Sequence, residues 1–543
     1  MPTFKLDGKD IPFEPGDSII KAAARNGHEI PHYCWHPGLS APANCRMCLV
    51  EIKPAANQRA MMLDVVEWDP SLQDYRPVQK PKLLPACQYP AVENQEVLAD
   101  TSPHVRQARS AVQELLLLNH PVDCPICDQA GECKLQDYWL EHQTATKRMR
   151  DEPVHKPKAV QFGPTIVYDA ERCVMCTRCI RFMEEVAKDP VLDMRERGNL
   201  NEIFVAPGRQ LEGHYTLMTE HVCPVGALTS RDFRFKARVW FLKSAKTVCQ
   251  GCATGCNAHL DFDPRSNKAH RYRPRDNEEV NAYWMCDEGM LSYRSAHEGR
   301  ITHARVTGQR VAVESAFSEA QRRFRGAAAN QVAIVLSAQH SLEDNWALRD
   351  IASHLGTNAF YVAAAPPGYS DTILIDSDKN SNRAGVKELS PSARSFEDLL
   401  ADIRAGRTTH VIALGASGIA LNSDHDAEAL RQLLGFVVVA SHESALCNVA
   451  HVVLPATSWA EQSGTYVNKK GIRQQTEQAL SPQGESKPAW SIVRQLGQSL
   501  GFDATWATLR DVRARMGLAA AARDPKAQTQ QTTQTTQTTV EGA

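Results

Sequence analysis

The stretch ERCVMCTRCIRFMEEV (residues 171–186) carries Cys173, Cys176 and Cys179 in a Cys-x2-Cys-x2-Cys run. That is the spacing with which bacterial ferredoxins hold iron–sulfur clusters through thiolates. The next cysteine of the pattern falls at position 183, which is Met183. The Cys-Pro pair that ends the same signature stands further on, as Cys223-Pro224 in EHVCPVGAL (220–228). In two-cluster ferredoxins the fourth cysteine of a run serves the other cluster. With one half of each motif present, the halves most simply share one four-iron site made of Cys173, Cys176, Cys179 and Cys223.

Upstream, NHPVDCPICDQAGEC (119–133) packs Cys124, Cys127 and Cys133 close together, and the next cysteine is forty residues away at Cys173. His120 stands four residues before Cys124, where a fourth ligand can reach, and imidazole binds both iron and zinc. By itself the set His120, Cys124, Cys127 and Cys133 is equally a zinc site; beside its neighbours, iron is favoured. Exchanging a thiolate for a neutral imidazole removes one negative charge and raises a cluster's potential, as in Rieske centres. The preceding VRQARSAVQELLLL predicts a helix with Val105, Ala108, Val112, Leu115 and Leu116 on one apolar face.

Further upstream, YCWHPGLSAPANCRMCLVEI (33–52) supplies Cys34, Cys45 and Cys48, and LLPACQYP (83–90) supplies Cys87. Soft thiolates suit iron–sulfur clusters, although the first gap is longer than the Cys-x4-Cys of plant-type ferredoxins. A zinc knuckle is the alternative. TFKLDGKDIPFEPGDSIIKAAARNG (3–27) predicts a hairpin turning at Asp7-Gly8 and then a short helix, and LVEIK (49–53) alternates as a strand. Together these predict a ferredoxin-like β-grasp unit. RAMMLDVVEWDPSLQDYRPVQKPK (59–82) interrupts it as an elongated hairpin insertion.

Downstream, TVCQGCATGCNAHL (247–260) and NAYWMCDEG (281–289) contribute Cys249, Cys252, Cys256 and Cys286. Zinc ribbons have similarly long gaps, so these residues alone fit either metal. Four sets use fifteen of the 16 cysteines and one histidine. Cys447 is left over and reads as a small buried hydrophobe.

The rest of the sequence bounds the reading. The 543 residues allow three to four domains, and the net charge of -2 gives no sign of a nucleic-acid partner. No apolar run approaches the ~18 residues of a membrane span. The opening MPTFKLDGKD lacks the pattern of a signal peptide, so a soluble, cytoplasmic chain is expected. Clustered cysteines in such a chain point to metal sites rather than disulfides.

These motifs, in this order, resemble the large iron–sulfur subunit family (G-type or 75 kDa type) of the NADH-dehydrogenase arm of respiratory complex I. The likeness is close over residues 1–300, through PHYCWHPGL, NCRMCLVEI, LLNHPVDCPICDQAGECKLQD, ERCVMCTRCIRF, CPVGAL and NAYWMCDEG. It implies a 2Fe-2S cluster on Cys34, Cys45, Cys48 and Cys87. It implies 4Fe-4S clusters on His120, Cys124, Cys127 and Cys133, and on Cys173, Cys176, Cys179 and Cys223. Cys249, Cys252, Cys256 and Cys286 look like a third 4Fe-4S site that some bacterial members keep, opening a domain similar to molybdopterin oxidoreductases.

The implied fold is an α+β N-terminal half followed by a shortened α/β molybdopterin-oxidoreductase-like domain. The expected divisions are 1–98 (two-iron), 99–150 (helical His/Cys segment), 151–240 (four-iron ferredoxin-like), 241–300 (the fourth site), 301–520 (α/β) and 521–543, a disordered low-complexity tail. In the C-terminal half VAIVLSA (332–338), HVIALGA (410–416), FVVVASH (436–442) and HVVLPAT (451–457) are β-rich runs with helical stretches such as LEDNWALRDIASHLG between them, the texture of a parallel sheet. About 220 residues are too few to wrap a molybdopterin, so no functional one is expected. LGASG lacks a full G-x-G-x-x-G and reads as a plain turn.

There is no P-loop and no flavin or nicotinamide fingerprint, so NADH oxidation is expected on a flavin-bearing partner, with this chain relaying single electrons toward quinone alongside other iron–sulfur and quinone-site subunits. The expected location is the peripheral arm on the cytoplasmic face of the inner membrane, with membrane contact only through partners. Rivals are the electron-transfer subunit of a hydrogenase or NAD-linked formate dehydrogenase and, in a different class, a zinc-bearing scaffold.

Overall fold

The structure, a computed structural model, describes residues 1–518 apart from 54, 56–58, 143–147, 416, 417, 420, 422 and 423. The tail expected from residue 521, and part of the LGASG turn, lie outside the described residues.

The chain begins with a five-stranded mixed sheet in the order Lys9–Pro12, Thr3–Leu6, Glu96–Leu98, Leu49–Lys53, Leu84–Pro85. The first hairpin turns at Asp7 and Gly8, both with positive φ (48° and 86°), as a tight two-residue turn demands. The Asp7 carboxylate accepts the backbone N–H groups of Ala99 and Asp100 at 2.9 and 3.0 Å. This ties the hairpin to the chain that leaves the unit. Helix Ile19–Arg25, N-capped by Ser18, buries Ile19, Ile20, Ala22 and Ala23 against Phe4, Ile11 and Val97. The insertion is a separate two-stranded ribbon, Met62–Asp69 paired with Asp74–Pro81.

Helix Pro103–Leu117 follows, and its inner face is only partly the apolar stripe that periodicity predicts: Val112 and Leu116 pack against the core, but polar side chains share that face. Val105, Arg109 and Gln113 are its buried residues, while Leu115 is 67% exposed. The helix faces polar groups of the first unit. Gln113 accepts from the Tyr33 hydroxyl, and Arg109 pairs with Asp100.

Two small antiparallel sheets, Leu228–Ser230/Ile166–Tyr168/Val160–Gln161 and Leu192–Arg195/Glu202–Val205, frame helix Arg178–Glu185. A three-stranded meander of Lys243–Val248, Asn257–Asp263 and Lys268–Pro274 then leads to helix Asp287–Leu291. One hydrophobic core runs through all of these parts. It includes Tyr33 and Met47 from the first unit, Leu135 and Tyr138 from the second, Phe182 and Leu217 from the third, and Trp284 and Met285 from the fourth.

The C-terminal half is an eight-stranded sheet. Val452–Pro455, Gly435–Ala440, His410–Leu414, Val332–Ser337, Phe360–Ala363 and Arg394–Ser395 run parallel in that order, with Arg305–Val306 and Gln309–Arg310 as an antiparallel edge. Alternate strand residues serve opposite faces, as the period of two requires. Ile334 and Leu336 pack with helices Val313–Phe324, Leu342–His354 and Ala489–Ser499. Ala333 and Val335 pack with Phe396–Arg404 and Asp424–Arg431. Both faces are covered, which is why these strands read as continuous apolar runs.

Trp284 is the joint between the small units. The His36 ring stacks on it at 5.1 Å between centroids, and Phe182 lies 5.1 Å away on the other module. Gly38 closes the joint, because a Cβ there would stand 2.6 Å from both Trp284 and Tyr283. Gly38→Ala is therefore expected to destabilise the chain by about 1–3 kcal/mol through overpacking. A lower urea midpoint checks it; an unchanged midpoint would mean that the joint is loose.

Candidate metal centres

All 16 cysteines are free thiols. Among the described residues no three His, Cys, Asp or Glu side chains converge as ligands of a single ion would. The sequence-predicted sets gather instead as walls around small spaces.

In the first set the thiols meet in two pairs. Cys34 donates to Cys45, pulling the Cys45 thiol down to about 5 and pushing its own pKa up. Cys48 likewise donates to Cys87, lowering Cys87, which also feels the charges of Cys34 and Cys45. The loop that delivers them turns through Ala43 (φ 52°) and Arg46 (φ 58°). Left-handed residues on both sides of Cys45 bend the chain back on itself. Cys87 thus joins the set despite the long insertion, because the insertion leaves and re-enters the sheet as a closed ribbon.

The second set lines one cavity of about 400 Å³, where His120, Cys124, Cys127 and Cys133 face each other beside Leu117 and Trp139. Burial pulls the His120 pKa down to about 4, with Asp123 opposing the shift. The imidazole is therefore neutral at pH 7, the form that binds metal. Burial pushes Cys133 up to about 11 and raises Cys127. Arg238 holds the loop by donating to the carbonyls of Cys127, at 2.6 Å, and Pro125. Gly226 lies against it, since a Cβ there would stand 2.3 Å from Cys127 Sγ.

The third set, Cys173, Cys176, Cys179 and Cys223, lines a closed apolar space with Tyr168, Ile203 and Leu228. Met175 (φ 50°) and Thr177 (φ 61°) are both left-handed. The N–H groups of Met175, Arg178 and Ile180 reach the sulfurs of Cys173, Cys176 and Cys179. Burial pushes Cys173, Cys176 and Cys223 up to about 11, and Cys179 well above the usual thiol value.

The fourth set, Cys249, Cys252, Cys256 and Cys286, lines a space closed by Leu374 and Ile375 of the α/β half. Cys286 N-caps helix Asp287–Leu291, with Gly289 N–H 3.3 Å from its sulfur, and Gly251 N–H stands 3.4 Å from Cys249 Sγ. A Cβ on Gly289 would sit 3.2 Å from Cys249 Sγ and 3.3 Å from Cys286 Sγ, so both sulfurs border this glycine. Cys447 lies elsewhere, buried in helix Ala445–Val449 beside Ser444.

The sets are tied together through residues adjacent to their cysteines. Asp123, next to Cys124, pairs with Arg172, next to Cys173. Lys134, next to Cys133, donates its N–H to Pro224 O, next to Cys223, at 3.1 Å. Arg271 of the meander grips Glu132 through two bonds of 2.8 and 2.7 Å. These side chains, with Gly226 and Arg238, escape a reading of the sequence alone. Only their adjacency to cysteines marks Asp123, Glu132 and Arg172.

Iron–sulfur clusters fit these walls. Burial and mutual repulsion hold most thiols of the second, third and fourth sets protonated, and a metal cation would supply the missing charge. N–H groups aimed at sulfur stabilise a negatively charged cluster.

Family models match successive parts of the chain. They are a 2Fe-2S iron-sulfur cluster binding domain (1–68), the NADH-ubiquinone oxidoreductase-G iron-sulfur binding region (109–148), the ferredoxin-like domain of NADH-quinone oxidoreductase subunit 3 (163–229), the molybdopterin oxidoreductase Fe4S4 domain (242–298) and molybdopterin oxidoreductase (309–499). The G-type subunit of NADH-quinone oxidoreductase from Rickettsia felis is 27% identical, over 95% of this chain and 90% of its own length. The mitochondrial NADH-ubiquinone oxidoreductase 78 kDa subunit of Candida albicans is 26% identical, over 94% of this chain and 84% of its own. The G-type subunit from Streptomyces coelicolor is 35% identical, over 54% of this chain and 32% of its own.

Gly226→Ala separates a ligated from a free Cys127. A free Sγ rotates away from the new Cβ, whereas one bound to iron does not. The variant is expected to keep its fold while bound iron falls by about four atoms per chain. Iron analysis beside a thermal melt checks this.

Proposed function

The chain belongs with the large iron–sulfur, G-type subunits of NADH-quinone oxidoreductase, and on that premise we propose that it relays single electrons from a flavin on a partner subunit toward quinone. The observation that carries the proposal is the gathering of four thiol-rich sets around one shared core. Their ligands are Cys34, Cys45, Cys48 and Cys87 for a 2Fe-2S cluster. For three 4Fe-4S clusters they are His120, Cys124, Cys127 and Cys133; Cys173, Cys176, Cys179 and Cys223; and Cys249, Cys252, Cys256 and Cys286. The first unit is read as a β-grasp module, and the divisions at residues 98, 150, 240 and 300 follow the ligand sets.

The clusters, when bound, supply one-electron carriers that no side chain offers. The chain holds them close, keeps water away and sets their potentials. The two thiol pairs of the first set suit two irons with two terminal thiolates each. The neutral imidazole of His120 leaves its site one negative charge short and so raises its potential relative to an all-thiolate site. Burial of the third set and the N–H groups at its sulfurs act on that site in the same currency.

The α/β half serves as a shortened molybdopterin-oxidoreductase-like unit without a functional cofactor, and Cys447 is a core residue. Partners are the flavin-bearing NADH-oxidising subunit and other iron–sulfur and quinone-site subunits of the complex. Among the described residues no helix is long and apolar enough to cross a membrane. The location proposed is the peripheral arm, on the cytoplasmic face. A hydrogenase subunit would need further cysteines after residue 290, where Cys447 stands alone.

Iron, acid-labile sulfide and zinc, measured on the anaerobically purified chain with low-temperature EPR after reduction, test the proposal. About 14 iron atoms per chain are expected; about 10 would mean one empty four-iron site, and zinc in place of iron would leave a scaffold. His120→Cys is expected to retain its cluster at a lower potential, because a thiolate adds negative charge. A potential that stays put removes His120 from the ligand set. Cys447→Ser is expected to leave the iron content intact, and loss of a cluster would overturn the grouping.

A further inference from the structure

Helix Arg178–Glu185 presents Arg178, Arg181 and Glu185 at helical spacing, and all three reach the loop that carries Cys34. Arg181, 8% exposed, donates from Nη2 to Cys34 O at 2.5 Å and to Cys176 O at 3.3 Å, and from Nη1 to Ser40 O. Arg178, 9% exposed, donates to Trp35 O and, at 3.3 Å, to Val222 O. Glu185 accepts the Ser40 N–H at 2.9 Å and the Ser40 hydroxyl. Each guanidinium therefore spans the gap between the first and third sets. Arg181 joins the peptides of Cys34 and Cys176 themselves. Arg178 joins the residue after Cys34 to the residue before Cys223.

A guanidinium stays protonated, and the hydrogen bonds of both run to carbonyls and a hydroxyl rather than to a carboxylate. Two fixed positive charges are thus buried between two thiol cages.

We propose that Arg181, with Arg178, is a positioning residue for the relay, which locks the two-iron site against the all-cysteine four-iron site and raises the potentials of both. This rests on the ligand sets proposed above. Each site takes up one electron and later gives one up, with no covalent bond made or broken in the protein. The reduced state carries one more negative charge, and a buried cation beside it favours that state. The planar fork also fixes the spacing between two carbonyls, which an ammonium does not.

Arg181→Gln and Arg181→Lys in the full chain test the idea, by redox-poised EPR together with iron content. At a fixed ambient potential R181Q is expected to lower the reduced-to-oxidised ratio at least tenfold at these two sites, a shift of 59 mV. The His120 site and the Cys249–Cys286 site should stay within about threefold. R181K, which keeps the charge, should stay near the parent potentials while the magnetic interaction between the two sites weakens. R181Q with full iron and unmoved potentials, or with all four sites shifted alike, overturns the proposal. Should R181Q lose iron at these two sites, R181K decides. Full loading at parent potentials supports the charge role, and equal loss refutes it. Absence of cluster signals in the parent chain would instead sink the relay reading itself.

Discussion

Thiols buried in a protein interior cannot all carry charge unaided, and the N-terminal half of this chain is organised around that constraint. Each of the four sets sends at least one cysteine into a common interior, Cys34, Cys133, Cys176 and Cys249 among them. Every set is answered by the same devices: a loop bent through left-handed residues or glycine, N–H groups turned toward sulfur, and a cation or helix end nearby. The small units share core with one another. Trp284 shows the economy of this arrangement, with His36 of one unit on one side and Phe182 of another near it.

Cross-module polar contacts follow the same logic. Asp123–Arg172 and Arg271–Glu132 are partly buried pairs in which each charge already has its partner or further hydrogen bonds. Pairs of this kind contribute little net stability compared with apolar packing, yet removing one partner leaves an uncompensated charge. Their value here lies in register. Asp123, Glu132 and Arg172 each sit one residue before a cysteine of these sets, so a shift of the joint moves the thiols themselves.

Much of this is legible in the sequence because it is local. Cys-x2-Cys spacings, the Asp7-Gly8 turn and the β-rich runs at 332, 410, 436 and 452 each act within a few residues, and the structure has the turn and the strands at those positions. What is illegible depends on partners distant in sequence. Periodicity turns Leu115 of helix Pro103–Leu117 inward, but the inner face meets Tyr33 and Asp100, so Gln113 and Arg109 are buried and Leu115 is not. Gly226 reads as an ordinary residue of a Cys-Pro motif until Cys127 is found beside it. Arg178, Arg181 and Glu185 carry no signal of their role in the sequence, because nothing nearby announces a loop roughly 140 residues earlier.

The way the fourth set is closed bears on how such a chain is made. Leu374 and Ile375 form part of its wall, and the Ala253 N–H is taken by the carbonyl of Asp378. These residues leave the ribosome roughly a hundred residues after Cys256, and long after the first three sets have all their cysteines. During synthesis the fourth cage thus stays open to solvent after the others can shut. A metal bound by these four cysteines would have to enter before the α/β half docks.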